Sequence, residues 1–392
     1  MAINIKNLEE LIQKKAYAVT SSTPTSDLGD IVEASLLATN SLREYDSAGL
    51  LPAATSNEKI AFVKSDKSVR FNNGSKWDTL TSGAAQASPS GGAAYSNRLG
   101  TTSGYAAGGR NPGNSAAPTT IDKYSLASDA NATDVGDNPS PIYGGQGVYS
   151  DTHGYVAGDN SDNSIWKYAF ASDGNSSDTT YDITKTAPQA AYGAGITSET
   201  HGYTAGGAAS HPNAVNIIDR FPFSAEANST DVGDLLIAAN YVAGNNSADN
   251  GYTHGGQELT PSPNTPSNVI QKFPFASATT NTTDVGDLLT AALFRDHNAS
   301  SEDHGYAFGR SPATNVIEKY AFATDGNATD VGDMTANLRW GAAATSPTHG
   351  YSAGGGPAYS NVINKFTTSS DANATDVGDL TVARDFAAGA QV

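Results

Sequence analysis

A Gly-Tyr pair recurs along this chain at Tyr105, Tyr155, Tyr203, Tyr252, Tyr306 and Tyr351, at intervals of 45 to 54 residues. Self-similarity at such a period marks a repeat architecture, in which each unit buries its apolar face only against its neighbours. Most copies run on into small residues ending in Gly, as in Gly104-Tyr-Ala-Ala-Gly-Gly109 and Gly350-Tyr-Ser-Ala-Gly-Gly355. Alternating apolar and small residues read as a strand, and the paired Gly as its end.

A second block follows a polar loop in each unit: Ile121-Asp-Lys-Tyr124, Ile165-Trp-Lys-Tyr168, Ile218-Asp-Arg-Phe221, Ile270-Gln-Lys-Phe273, Ile317-Glu-Lys-Tyr320 and Ile363-Asn-Lys-Phe366. Its period-two alternation is that of a half-buried strand. A third block, Thr-Asp-Val-Gly-Asp, opens at Thr133, Thr230, Thr283, Thr329 and Thr375, and the second unit is read with Thr180-Tyr-Asp-Ile183 in its place. A short stretch before the next Gly-Tyr, such as Leu338-Arg-Trp-Gly-Ala-Ala-Ala344, supplies a fourth strand. Four strands in about 50 residues describe one propeller blade. The chain stops at Leu380–Val392, which matches the first strand of a unit and nothing after it. Pairing that tail with the Tyr105 strand removes the free edges an open array would leave. The expectation is an all-β fold: a β-propeller of six four-stranded antiparallel blades over 91–392, with 380–392 closing the first blade.

The first quarter differs. Ile3, Ile5, Leu8, Leu11 and Ile12, then Ile31 to Leu42, carry helical spacing, so 1–57 is expected to be a helical attachment or oligomerisation segment. Lys59–Lys64, Ser68–Phe71 and Lys76–Leu80 read as a small β-meander over 58–81, and 82–90 as an Ala/Ser/Gly linker.

Composition excludes several functions. The formal net charge of −18 gives the wrong sign for binding nucleic acid or anionic membranes. Met1–Ala16 has no continuous apolar run, so neither a signal peptide nor a membrane insertion is expected. There is no Cys, which removes disulfides, thiolate metal sites and cysteine nucleophiles.

The order of basic residue, small apolar strand, Gly-Tyr-small-Ala-Gly-Gly, loop and Val-Ile-x-Lys-aromatic resembles the kelch repeat over most of 91–392. It departs at the fourth strand, where kelch repeats usually carry Trp and this chain has Thr-Asp-Val-Gly-Asp. Joined to the helical head and the Phe62–Trp77 hairpin, the repeats resemble virion structural and fibre proteins of marine, cyanophage-type bacteriophages. That resemblance implies location in the virion, as a tail fibre or similar appendage. Residues 1–81 would fasten it to other virion structural proteins, and the propeller would engage a host-surface glycan or protein. A homotrimer is one assembly open to such a protein, although no sustained heptad marks it. The alternatives are a capsid or tail decoration without receptor binding and a carbohydrate-binding or hydrolysing propeller.

No residue constellation supports an enzyme. The copper site of galactose oxidase, a catalytic kelch-like propeller, needs a Cys; Ser172–Asp178 and Thr324–Asp330 lack the Trp of sialidase boxes. Asp129, Asn131 and Asp134 offer calcium oxygen ligands at close spacing, but Asp and Asn also serve tight turns without metal, and that is the preferred reading: no cofactor is expected. The Asn-x-Thr triplets at Asn131, Asn228, Asn281, Asn327 and Asn373 match a glycosylation acceptor, yet their regularity argues for geometry. His153, His201, His304 and His349, each before a Gly-Tyr, are expected to cap the turn between the first two strands. Binding is assigned to the long segments after the double Gly, 110–120, 208–215 and 257–267, with Arg110, Asn111, Asn114, His211, Asn213, Gln257, Glu258 and Asn264 as contact residues. The prolines in these segments would limit the entropy lost on binding.

Overall fold

A computed structural model describes residues 43–45, 51, 60–63, 68–72, 77–80, 98–112, 118–186, 190–208, 214–225, 227–258, 265–276, 281–293 and 297–392. The helical expectation for 1–42 and the linker 82–90 lie outside them. The chain divides into two compact units, Met1–Ala93 and Ala94–Val392.

In the first unit, β1 (Arg43–Tyr45), β2 (Ile60–Val63), β3 (Ser68–Asn72) and β4 (Trp77–Leu80) form one sheet in that order. The pairs from β2 to β4 are antiparallel, and β1 lies parallel to β2 with Arg43 opposite Ala61. Arg43–Tyr45 is therefore a strand within a segment expected to be helical. A parallel pair needs a crossover of a dozen or more residues, which the stretch between Tyr45 and Ile60 supplies. The helical spacing further upstream gives no sign of this long-range pairing.

The second unit is a six-bladed β-propeller. From the axis outward, blade one is β30 (Ala388–Gln391), β5 (Ser103–Ala107), β6 (Thr120–Ser125) and β7 (Thr133–Asp137). Blade two is β8 (Gln146–Tyr149), β9 (His153–Ala157), β10 (Ser164–Ala169) and β11 (Ser177–Asp182), and blade three is β12 (Ala194–Thr197), β13 (His201–Ala205), β14 (Ile217–Pro222) and β15 (Thr230–Asp234). Blade four comprises β17 (Ala243–Asn246), β18 (Asn250–His254), β20 (Thr265–Pro274) and β21 (Thr283–Ala292), with a two-strand extension from β16 (Ala239–Asn240) and β19 (Gln257–Glu258). Blade five is β22 (His297–Ser300), β23 (His304–Phe308), β24 (Thr314–Ala321) and β25 (Thr329–Leu338), and blade six β26 (Ala342–Thr345), β27 (His349–Gly355), β28 (Ser360–Thr367) and β29 (Thr375–Asp379). The last strand of the chain thus lies antiparallel to β5, with Ala390 opposite Tyr105.

The repeated residues are explained by packing within and between blades. Ile121, Ile165, Ile218, Ile270, Ile317 and Ile363 are all buried. Each Gly of a Gly-Tyr pair sits under the aromatic ring of the neighbouring strand: a Cβ on Gly104 would lie 2.5 Å from the Tyr124 ring, and one on Gly350 2.3 Å from Phe366. The accompanying Tyr reaches the next blade, so Tyr105 stacks on Phe170 with centroids 4.8 Å apart and Tyr252 on Phe322 at 4.7 Å. Such contacts make neighbouring blades share one core.

The Thr-Asp-Val-Gly-Asp block forms the outer latch. Its first Asp accepts a hydrogen bond from the Gly amide two residues on, at 3.1 Å in all five copies, which bulges the strand. Its last Asp then meets the next blade. At all six interfaces that Asp donates its amide to an Asn side chain of the adjoining blade at 2.9–3.1 Å, as Asp287 does to Asn327 and Asp379 to Asn131. The residue after each Asn returns a backbone bond to the Asp carbonyl at 2.7–2.9 Å. The Asn-x-Thr pattern is thus an inter-blade clamp. In blade two the clamp residue is Asp182 and the bulge lies at Asp178–Thr180, so the block is Ser177–Asp182 and not the expected Thr180–Ile183.

Candidate functional site: the channel mouth

The six inner strands surround a narrow axial channel of about 110 Å³. Gly147, Gly195 and Gly389 line it and let the strands close in; a Cβ on Gly147 would lie 2.2 Å from the Gly389 carbonyl oxygen. Toward one end, side chains accept a backbone amide of a neighbouring inner strand, Thr197 from Tyr149 at 3.2 Å, Ser300 from Asn246 at 3.2 Å and Thr345 from Ser300 at 3.1 Å.

At the other end, where the inner strands begin, Tyr192, Tyr241, Trp340 and Phe386 occupy equivalent positions in four blades and Gly144 in a fifth. The four aromatics are half-buried and all adopt left-handed backbone conformations, with φ of 59°, 52°, 65° and 56°. Bulky residues rarely adopt this conformation, at about 1–3 kcal/mol each, unless the surroundings enforce it. Here a run of backbone bonds linking five blades does: Gly144 N–H to Phe386 (3.4 Å), Tyr192 N–H to Gly144 (2.7 Å), Tyr241 N–H to Tyr192 (2.6 Å) and Phe386 N–H to Trp340 (2.5 Å). The rings form a collar. Tyr192 and Tyr241 have centroids 4.5 Å apart, Tyr192 and Phe386 5.4 Å, and Trp340 stacks on Phe386 at 4.6 Å.

Guanidinium groups border the collar. Arg110 binds Asp385 through two hydrogen bonds of 3.0 and 2.9 Å, and its charge lies 5.0 Å from the Phe386 centroid and 5.6 Å from that of Tyr359, itself at φ 51°. The Arg339 guanidinium carbon lies over the Trp340 ring, 3.8 Å from its centroid. The hydrogen bond to Asp385 holds the Arg110 pKa above its usual value. Burial pushes Asp385 above the ordinary carboxylate value, and the pull of Arg110 and Arg339 only partly reverses this.

Strand direction fixes what shares this face. The second strand of each blade ends where the first begins, so the segments after the double Gly emerge beside the collar. Antiparallel bridges Arg110–Asp385 and Arg339–Gly356 tie them together. The opposite face carries the first-to-second strand turns, and the Asn clamps join the outermost strands of neighbouring blades.

Of the expected contact residues, Arg110 and half-buried Asn111 stand at this face. Gln257 is buried in β19 opposite Asn240, with half-buried Glu258 opposite Ala239, so Gln257 is a strand residue and not a free loop contact. The apparent loop is shortened because chain on both sides of it continues blade four into β19 and β20. Asn114, His211, Asn213 and Asn264 lie outside the described residues. The calcium candidates are held in separate contacts: Asp129 pairs with Lys365, Asn131 accepts from Asp379 and Asp134 from Gly136. Among the described residues, no three His, Cys, Asp or Glu side chains gather where they would hold a metal ion.

The four histidines open the second strand of their blades, away from the channel. Their amides donate to a Ser three residues upstream, as His153 does to Ser150 and His349 to Ser346, both at 3.1 Å, and that Ser amide donates back to the His carbonyl. Burial lowers the pKa of each of them, helped by a nearby Lys or Arg. Sequence reasoning missed the collar. Its signal was an aromatic directly before four of the small-residue runs, as in Tyr192-Gly-Ala-Gly and Phe386-Ala-Ala-Gly. No protein-family model matches the chain, and none of the curated proteins is similar to it.

Proposed function

We propose that this chain is a kelch-like, non-enzymatic virion appendage of a bacteriophage, a tail fibre or similar, whose channel-mouth face binds a host-surface glycan or protein. The observation that carries the binding part is the collar of Tyr192, Tyr241, Trp340 and Phe386, held in left-handed conformations on the face that also bears the long segments. Strain of this kind, stabilised by a run of hydrogen bonds from blade to blade, is typical of sites kept for a ligand. The clamps between blades make the ring a rigid platform, so a ligand meets a preformed surface. Residues 1–81 attach the chain to other virion proteins, and no cofactor is required.

The test is binding of the labelled intact chain to bacterial cells that the parent particle infects, beside variants with 111–118 or 258–265 shortened. Saturable binding that weakens on shortening supports the proposal. Absence of binding to every such host overturns the receptor-binding reading in favour of a structural decoration.

A further inference from the structure

On a chain with a net charge of −18, Arg110 and Arg339 bring two guanidinium groups to one sector of the collar, and the backbone of Arg310 adjoins it. Arg339 donates through Nη1 to Ser311 at 3.3 Å, in the segment that Arg310 opens, and the Arg310 amide donates to Leu338 at 3.1 Å. Arg110 lies 5.0 Å from the Phe386 centroid and 5.8 Å from that of Trp340. Among the described residues the carboxylate beside these cations is Asp385, which Arg110 already engages with both oxygens. Among the described residues no carboxylate pairs with Arg310 or Arg339, and the Nε of each is buried without a hydrogen-bond partner. The Arg339 guanidinium carbon lies 3.8 Å over the Trp340 ring centroid, a cation–π contact that holds the group at the collar while, among the described residues, Nη1 alone donates to the protein. A guanidinium held in this way matches the fork of a planar or tetrahedral oxyanion.

We infer that the Arg110–Arg310–Arg339 sector of the channel mouth is an oxyanion-recognition site, and that its ligand is the carboxylate or sulfate of an acidic saccharide. The inference rests on the reading of this face as the binding face. The half-buried aromatics beside the cations favour a saccharide, because a sugar ring offers C–H groups to them while its acid reaches the arginines. The overall negative charge makes indiscriminate capture of polyanions unfavourable, so binding here needs this local site.

The test is calorimetric titration of the intact chain with four probes: a galacturonate tetrasaccharide, a sulfated galactose tetrasaccharide, the neutral galactose tetrasaccharide and a tetraglutamate peptide. One or both acidic saccharides should bind saturably, and the neutral sugar and the peptide at least about tenfold more weakly, the scale of one lost charge-assisted bond. Arg339→Gln should weaken the acidic saccharide by about tenfold without moving the thermal midpoint. Asp385→Asn, which removes the competing charge and keeps the shape, should tighten it. Equal binding of the neutral sugar or the peptide, or indifference to both substitutions, overturns the inference. If neither acidic saccharide binds while the chain still binds host cells, the oxyanion site is wrong and the binding face stands. If cells are not bound either, both fall.

Discussion

Gly286 and Gly326 provide a controlled measurement of what the close approach of blades contributes. Gly286, in the bulge of β21, has φ of 149°, and a Cβ there would lie 2.3 Å from the carbonyl oxygen of Gly326 in the next blade. Gly326 has φ of 133°, but a Cβ there meets nothing within 4 Å. Gly326→Ala therefore incurs backbone strain alone, about 1–3 kcal/mol. Gly286→Ala incurs that strain and must push two backbones apart, a further 1–3 kcal/mol or about 2–6 in all. For a unit of about 300 residues, the unfolding entropy of about 2.1 cal/mol/K per residue makes each kcal/mol worth about 1.6 °C. Gly286→Ala should thus lower the midpoint in a calorimetric scan by about 3–10 °C, and Gly326→Ala by about 2–5 °C. Equal shifts would refute the argument that the glycine is there to admit the neighbouring loop.

Three further outcomes follow from the same geometry. Burial pushes the Lys185 pKa down to about 8, while in the unfolded chain it stays near its ordinary value, so the unfolded state holds more protons between these limits and stability should rise from pH 7 to 10 by roughly 2 kcal/mol. Above pH 10 the trend should reverse, because burial holds Tyr124, Tyr149, Tyr168 and Tyr320 protonated while unfolded tyrosines ionise; urea midpoints across this range check both, and Lys185→Met should flatten the rise. Since Asp129, Asn131 and Asp134 are engaged by protein groups, excess chelator should leave the thermal midpoint unchanged, and a fall of several degrees would point to a bound cation. Removal of 388–392 deletes the inner strand of blade one and should abolish the cooperative transition or drive association through the exposed β5 edge, read by calorimetry and size-exclusion chromatography.

The repeat phase was legible because the propeller uses the same residue for the same contact in every blade. Gly104 and its counterparts must lie under an aromatic ring, and Ile121 and its counterparts must fill the core, so both recur at each turn of the ring. The role of Asn131 was half legible. Its repetition signalled geometry, but its partner, Asp379, stands 248 residues away, and only ring closure brings the two together. The collar was obscured because its four aromatics differ in kind and follow connections of unequal length, so they do not align as a repeat. Strand β1 was obscured for another reason: a three-residue strand paired over a crossover leaves no local periodicity to read.

The central claim is that the channel-mouth face binds the host, and its most direct test compares substitutions at the axis and at the outer rim of one ring. Cell binding of the labelled intact chain would be measured for Trp340→Ala at the mouth and Asn327→Ala in a clamp between outermost strands, each checked for an intact thermal transition. The account predicts at least about a tenfold loss of affinity for Trp340→Ala, as expected of a central aromatic contact, and none for Asn327→Ala. Unchanged binding by Trp340→Ala, or loss only at the clamp, would contradict it.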